Sequence, residues 1–452
     1  MNEAIDWDVQ GNEAVELLGA LVRADTSNPP GNTAEAAEIA AEQLRAAGCE
    51  PEMLENVAGQ VNVIARLRGD GDEPPLLLNA HLDVVPAEPE KWTHPPFAGE
   101  IADGYLWGRG TVDMKNMAAM SLTVFRVLAQ MPGRRRRDVI FAGVADEEAG
   151  CTNGSAWLVD AHPDKVRAGF ALGEVGGFTL HTGGKAVYPV QVAEKGVCWL
   201  KATAHGPAGH GSIPREDNAV VVLARFLDRI GRRTLPVHRS DAVDRFVGAL
   251  ADAQSQPGRS ILPLLLNDRV SPLVGRVIPD RSTARMLTAL VRNTVTPTVI
   301  SAGDKTNVIP SFAEAHLDGR IAVGSSAEEL VAEVQAVAGP DIELEVMLTR
   351  APHEAPADTD LFRTIATVIA EHQPGAVAVP SVIPGFTDAH YWSQLGTVCY
   401  GFSPVVLQPD DPPFGDLFHA ADERIPVEGF KEGLKMLADV VFRFVGERDG
   451  AL

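Results

Sequence analysis

A histidine and an aspartate two positions apart, His81 and Asp83, end the apolar run of the stretch LLLNAHLDVVP. Strand side chains alternate, so in an extended segment the two project to one side. One member of such a pair can bind a metal while the other holds the imidazole ring in place. Acids are delivered in the same way further along. Asp113 lies in GRGTVDMKNMAAM just before an apolar helical segment, Asp146-Glu147-Glu148 closes the run VIFAGVA, and Glu174 follows Phe170-Ala171-Leu172-Gly173. Each has an ordinary alternative, since an acid before a helix can cap it and acids at a strand end can form a solvated turn. Adjacent acids repel one another, however, unless a cation sits among them. Neighbouring glutamates suit a division of labour, one binding metal while the other takes a proton from metal-bound water. His419, with Asp422 and Glu423 behind it, completes a set of two histidines and three carboxylates.

The elements that must carry these residues are legible around them. Leu76 to Pro86 is bounded by Pro74-Pro75 and Pro86 and reads as a buried strand of a parallel sheet, whose C-terminal edge is where open α/β sheets keep their chemistry. Helical spacing over residues 12–24 and 33–47 precedes strands at 50–54 and 61–67. A helix over 117–129, strands at 139–145 and 170–173, and helices over 361–372 and 427–445 extend the pattern. This alternation predicts an α/β fold, a mostly parallel sheet with helices on both faces. The loop from Ala87 to Gly110, rich in Pro, Trp and Gly, is expected to have little regular structure and to be functional.

From about residue 190 the acid-tipped pattern stops, and β-branched stretches at 197–204 and 315–323 alternate with helices at 219–230 and 326–337. A smaller inserted α+β domain over 193–351 is expected, with 1–192 and 352–452 forming the catalytic domain. Within the insert, small residues around His205 to Ser212 keep a histidine, His210, exposed on a loop, and Asn307 in TNVIP offers an amide. Later, Gly385-Phe386-Thr387-Asp388 forms a loop able to present backbone N–H groups to an anion.

Composition narrows the function classes. A formal net charge of −22 over 452 residues argues against nucleic-acid or anionic-membrane partners, which require basic surface. Cys49, Cys151, Cys198 and Cys399 are scattered, which suggests neither a disulfide scaffold nor a thiolate site and fits a reducing cytoplasm. The N-terminal stretch has acids where a secretion signal would carry positive charge, and no run of about eighteen apolar residues occurs.

In order, HLDVVP, WTHPPF, GRGTVDMK, the DEE turn, Glu174, GHGSIPREDNAV, TNVIP, GFTDA and His419 resemble the dinuclear-zinc metallopeptidase family of aminoacylase, acetylornithine deacetylase, succinyl-diaminopimelate desuccinylase and glutamate carboxypeptidase. The resemblance runs from about residue 12 to residue 440. It implies that Asp113 bridges two ions, one also held by His81 and Glu174, the other by Glu148 and His419. Glu147 resembles the general base, Asp83 the group orienting His81, and His210 the histidine that steadies the oxyanion, often across a homodimer. Asn307, Arg320, Gly385, Thr387 and Asp388 resemble substrate contacts, and the peptide from Asp113 to Met114 is expected to be cis. The segment between His210 and Asn307 is longer than in compact family members, as in the carboxypeptidase-like and N-acyl-amino-acid hydrolase branch.

An oxygen and imidazole set suits two zinc ions and also accepts cobalt or manganese. The expected reaction is hydrolysis of an amide bond beside a free carboxylate, in an N-acyl amino acid or a short peptide, by a hydroxide bridging the ions with a glutamate as base. A dipeptidase or carboxypeptidase is the alternative to a deacylase, and a catalytically silent scaffold of the same fold is the remaining one.

Overall fold

Pro74 and Pro75 start the strand Glu73–His81, and its last six residues are buried. In the computed structural model, which describes residues 5–131, 133–278 and 281–446, this strand is central to a large sheet. It runs parallel to Arg137–Val144 on one side and Phe170–Gly173 on the other, and Val398–Gly401 continues the parallel set beyond Phe170–Gly173. Antiparallel strands flank this centre: Val61–Leu67 and Glu52–Glu55 at one end, Lys185–Glu194 at the other. The sheet is therefore mixed, with its parallel strands in the middle, where helices shield both faces.

Alternation along the strands decides which helix meets which face. Leu77, Ile140, Ala142 and Val144 pack with Leu158, Val166 and Trp392, from the helices Ser155–Ala161, Pro163–Val166 and Ala389–Trp392. On the opposite face lies the helix Lys115–Gln130, buried along most of its length and surrounded by Trp7–Arg23, Ala34–Ala46 and Val427–Val445. Local chemistry fixes helix starts: Asp6 caps Trp7–Arg23 by accepting from the N–H groups of Asp8 and Val9.

The chain separates into two compact units, one of Met1–Val192, Ala355–Ser381 and Thr387–Leu452, the other of Ala193–Glu354 and Val382–Phe386. In the second unit, strands Thr294–Ser301, Phe312–Ile321, Gly196–His205 and Ile342–Arg350 form an antiparallel sheet in that order. Cys198, Leu200, Ala202 and Ala204 face a core closed by the helices Ala219–Arg232 and Ala327–Ala338. The helices Asp241–Ala253, Ser271–Val277 and Arg281–Leu290, with the short helical turns Gly258–Ile261 and Leu262–Leu266, fill the segment that precedes the edge strand.

The loop at 87–110 is more regular than its composition suggests. Glu100–Ala102 and Tyr105–Trp107 form a hairpin, joined by Arg424–Pro426 into a three-stranded sheet. Asp103 and Gly104 turn it with positive φ values of 52° and 83°, the Asp-Gly signature of a tight hairpin. Among the described residues, no helix is long and apolar enough to cross a membrane.

Candidate metal centre

His81 ends its strand fully buried. Its Nδ1 lies 2.9 Å from the main-chain oxygen of Asp83, which can only accept, so Nδ1 carries the proton and Nε2 turns its lone pair the other way. There Nε2 meets Oδ1 of Asp113 at 3.0 Å and Oε2 of Glu174 at 3.5 Å. The second oxygen of Asp113 is 3.2 Å from Nε2 of His419, which is itself 3.2 Å from Oε2 of Glu148. Two clusters of ligand-type atoms, His81–Asp113–Glu174 and Asp113–Glu148–His419, thus share one carboxylate.

These residues fit a pair of divalent cations. Ligand atoms about 2.1 Å from a tetrahedral ion stand roughly 3.4 Å from one another, close to the 3.0 to 3.5 Å separations here. The donors are imidazole and carboxylate, and Oε1 of Glu148 is buried with no hydrogen-bond partner among the described residues. Electrostatics point the same way. Burial pushes the Glu174 carboxyl up to about 8, the nearby Asp113 charge adding to it and His81 opposing. Burial, then the charge of Glu174, holds the Glu147 carboxyl well above its ordinary range. Burial alone would lower the pKa of His81, but Glu174 and Asp113 outweigh it and hold it well above normal. Hydrogen bonds to Asp113 and Glu148 lift His419 to about 10. Each shift expresses a demand for positive charge at one place.

The supporting shell explains how distant segments are held in register. The Asp83 carboxylate, fully buried, accepts from the main-chain N–H groups of Glu147 and Glu148, each at 3.1 Å, and from Nδ2 of Asn28 at 2.9 Å. Its Oδ1 stays 3.6 Å from Nδ1 of His81. The direct bond that orients the ring therefore comes from the main chain of Asp83, while its side chain holds the glutamate turn. Asp146 starts that turn in the left-handed region at φ 69° and accepts from Asn28 and Asn153. Around Glu174 the backbone packs closely: Gly176 has φ 150°, and a Cβ there would meet the Gly401 carbonyl oxygen at 2.6 Å. The peptides Asp113–Met114 and Glu174–Val175 are both cis.

Sequence reasoning passed over a further brace, Glu423. Fully buried, it accepts from the N–H groups of Gly110, Val112 and Asp113 at 3.0, 2.7 and 3.2 Å and from Nη1 of Arg109 at 2.7 Å. Nη2 of Arg109 also donates to the carbonyl of His419 at 3.3 Å. One buried ion pair thereby ties the loop that presents Asp113 to the loop that presents His419. The available signal was Arg109 and Glu423 standing beside two candidate ligands; nothing local paired them.

The remaining candidates fall elsewhere. Asp388 is 1% exposed, and its oxygens accept from Ser155 Oγ at 2.5 Å and Asn79 Nδ2 at 3.0 Å, so both are engaged within the first unit. Thr387, also buried, accepts from the N–H of Ala389. Gly385, His210, Asn307 and Arg320 belong to the second unit. There, Nδ1 of the exposed His210 is 2.7 Å from Ser212 Oγ, and the carbonyl of Asn307 accepts from Gly211 N–H. Arg320 already grips a carboxylate, that of Asp318, through Nε at 2.8 Å and Nη2 at 3.1 Å.

Residues 77–443 match the model of Peptidase family M20/M25/M40. The chain belongs to that family. It is 30% identical over 392 residues to a probable carboxypeptidase S-like protein of Dictyostelium discoideum, covering 83% of this chain and 73% of that protein. An N-fatty-acyl-amino acid synthase/hydrolase of Bos taurus is 30% identical over 410 residues, 87% of this chain and 78% of its own length. Aminoacylase-1 of Sus scrofa is 27% identical over 439 residues, 95% of this chain and 94% of that one. Among solved structures, an M20 family metallo-carboxypeptidase of Sulfolobus solfataricus superposes with a TM-score of 0.71 at 16% identity, covering 95% of this chain and 98% of that chain. A dinuclear metal binding M20 peptidase of Bacillus subtilis gives 0.61 at 13% identity, with 96% and 98% covered. At such identities the structural likeness carries the fold alone. This M20 protein is a metal-dependent hydrolase of amide or peptide bonds.

Proposed function

We propose that the protein hydrolyses the amide bond next to a free carboxylate in an N-acyl amino acid. The observation that carries this reading is the sharing of Asp113 between the His81–Glu174 and Glu148–His419 clusters. Two divalent cations, zinc by the donor chemistry with cobalt or manganese also suited, would supply activation of water and polarisation of the scissile carbonyl. The chain's own groups do the rest. Glu147 takes the proton of the attacking water and returns it to the departing nitrogen, as general acid–base catalysis requires. Asp83 keeps the Glu147–Glu148 turn in place by its two main-chain hydrogen bonds. His210 is assigned to the developing oxyanion, and Asn307, Gly385, Thr387 and Asp388 are the proposed substrate contacts, with Arg320 joining them by exchanging Asp318 for the substrate carboxylate.

The deacylase reading is favoured by relatives that act on acylated amino acids, one of which matches along 94% of its length. A carboxypeptidase is the second reading, supported by 30% identity to the probable carboxypeptidase. We also propose that residues 193–351 form a dimerisation or lid domain and, from four cysteines scattered along the chain with no C-x-x-C pair, that the protein works in a reducing cytoplasm. Metal-stripped enzyme assayed on N-acetyl and long-chain acyl amino acids and on dipeptides, with zinc, cobalt and manganese restored in turn, tests the function. Hydrolysis of the acyl substrates supports it, dipeptide hydrolysis alone moves the assignment to the second reading, and no metal-dependent turnover of any substrate defeats both.

A further inference from the structure

The second unit contains a cavity of about 600 Å³ whose wall includes five arginines, Arg233, Arg276, Arg281, Arg285 and Arg292, and, among the described residues, no aspartate or glutamate. In a chain with 61 acids against 39 bases, such a gathering runs against the overall charge. Among the described residues, the side chains of Arg233, Arg276, Arg281 and Arg285 form no ion pair; Nε of Arg285 meets only the main-chain oxygen of Arg281. Like charges held together in this way repel unless an anion is placed among them.

Arg292 is the buried arginine of this wall and carries open donors. It is 3% exposed, and Nη1 is engaged by the Leu235 carbonyl and by Oδ1 of Asp268 at 3.2 Å. Nε and Nη2 are buried with no hydrogen-bond partner among the described residues. Those two atoms form one edge of the guanidinium plane, the edge that takes both oxygens of a carboxylate or phosphate. Elsewhere in this unit the same edge does so: Arg215 takes Asp217 through Nε and Nη2 at 2.9 and 2.8 Å, and Arg320 takes Asp318 likewise. A buried charged donor left open costs stability, so an edge of this kind in the wall of an arginine cavity marks a place for an oxyanion. Lys195 lies behind the same wall, its Nζ donating to the carbonyls of Ala289 and Arg292 and to Oγ1 of Thr294. The opposing charges nearest Arg292 are Asp268, whose side chain is 61% exposed, and Glu333, which is occupied by His238 and Asn293.

We propose that this cavity binds a small polyvalent oxyanion, a phosphate monoester or a polycarboxylate, held by Arg292 with Arg276, Arg281 and Arg285 around it. None of its residues belongs to the metal clusters, so the site is additional to the hydrolytic centre. Calorimetric titration of the metal-loaded full chain with inorganic phosphate and with tricarballylate, against chloride at equal ionic strength, tests the proposal. Saturable binding is expected, weakened about ten-fold or more by the exposed pair Arg281→Glu and Arg285→Glu. Circular dichroism and amide hydrolysis should be unchanged in that variant. Arg276→Ala, a milder change, should weaken binding several-fold and serves if the double variant fails to fold. Preference for phosphate identifies the phosphate monoester as ligand, and preference for tricarballylate identifies the polycarboxylate. Failure of both anions to bind beyond chloride overturns the proposal, as does binding that the arginine substitutions leave intact, which would place the anion elsewhere, including at the metals.

Discussion

Glu147→Gln separates the base from the ligands. The residue is 7% exposed and its main-chain N–H is fixed by Asp83 at 3.1 Å, yet its carboxylate belongs to neither cluster of ligand atoms. Glutamine has the same shape and cannot take a proton, so the substitution removes general-base catalysis and little else. That contribution is typically about 10² to 10⁴ in rate, equivalent to about 3 to 5 kcal/mol of barrier. Because burial and the charge of Glu174 already disfavour the ionised form, the neutral side chain should leave the metal-free protein no less stable. The assay is kcat on an N-acetyl amino acid at full metal loading, with metal content by elemental analysis and urea unfolding of the stripped protein. A rate within about ten-fold of the parent at full metal content would show that another group takes the proton. Loss of metal in step with activity would show that Glu147 is a ligand.

Asp113→Asn should weaken retention of both ions together, because one side chain faces both clusters; elemental analysis that finds one ion fully retained would contradict the sharing. Glu423→Gln leaves Arg109 buried without its countercharge and should cost about 3 to 5 kcal/mol in unfolding free energy, while an unchanged urea midpoint would remove Glu423 from the brace. Stripping metal should lower Tm in proportion to RT ln(1 + [L]/Kd), a few kcal/mol at a hundred-fold saturation, and readdition should restore it. Lys195 gives a pH signature. Burial, with Arg320 adding, lowers its pKa to about 7 in the folded chain from an ordinary 10.5. Between those values the unfolded chain binds the extra proton, so stability should rise with pH by up to about 1.4 kcal/mol per unit. Lys195→Met should flatten that slope, as read from urea unfolding at pH 7 to 9.

Residue type and spacing settled a good deal. The apolar runs before His81, Glu147 and Glu174 mark buried strands because a strand covered on both faces has no polar position to spare, and the acids at their ends mark the sheet's functional edge. The helix Val427–Val445 is legible from its 3.6-residue period alone. Strand direction was not legible, since Val61–Leu67 reads as apolar whether its neighbour runs with it or against it. The hairpin at Asp103-Gly104 carried a signal that the Pro and Trp around it obscured. Tertiary packing alone decided that the two oxygens of Asp113 face different histidines, that the main chain of Asp83 orients His81, and that Glu423 clasps a loop 310 residues earlier. It likewise decided that Arg320 is taken by Asp318 and that five arginines meet around one cavity. Periodicity records which face of an element is buried, a local property. Which distant group answers a donor or a charge depends on how the buried faces pack together, and no single stretch of sequence contains that.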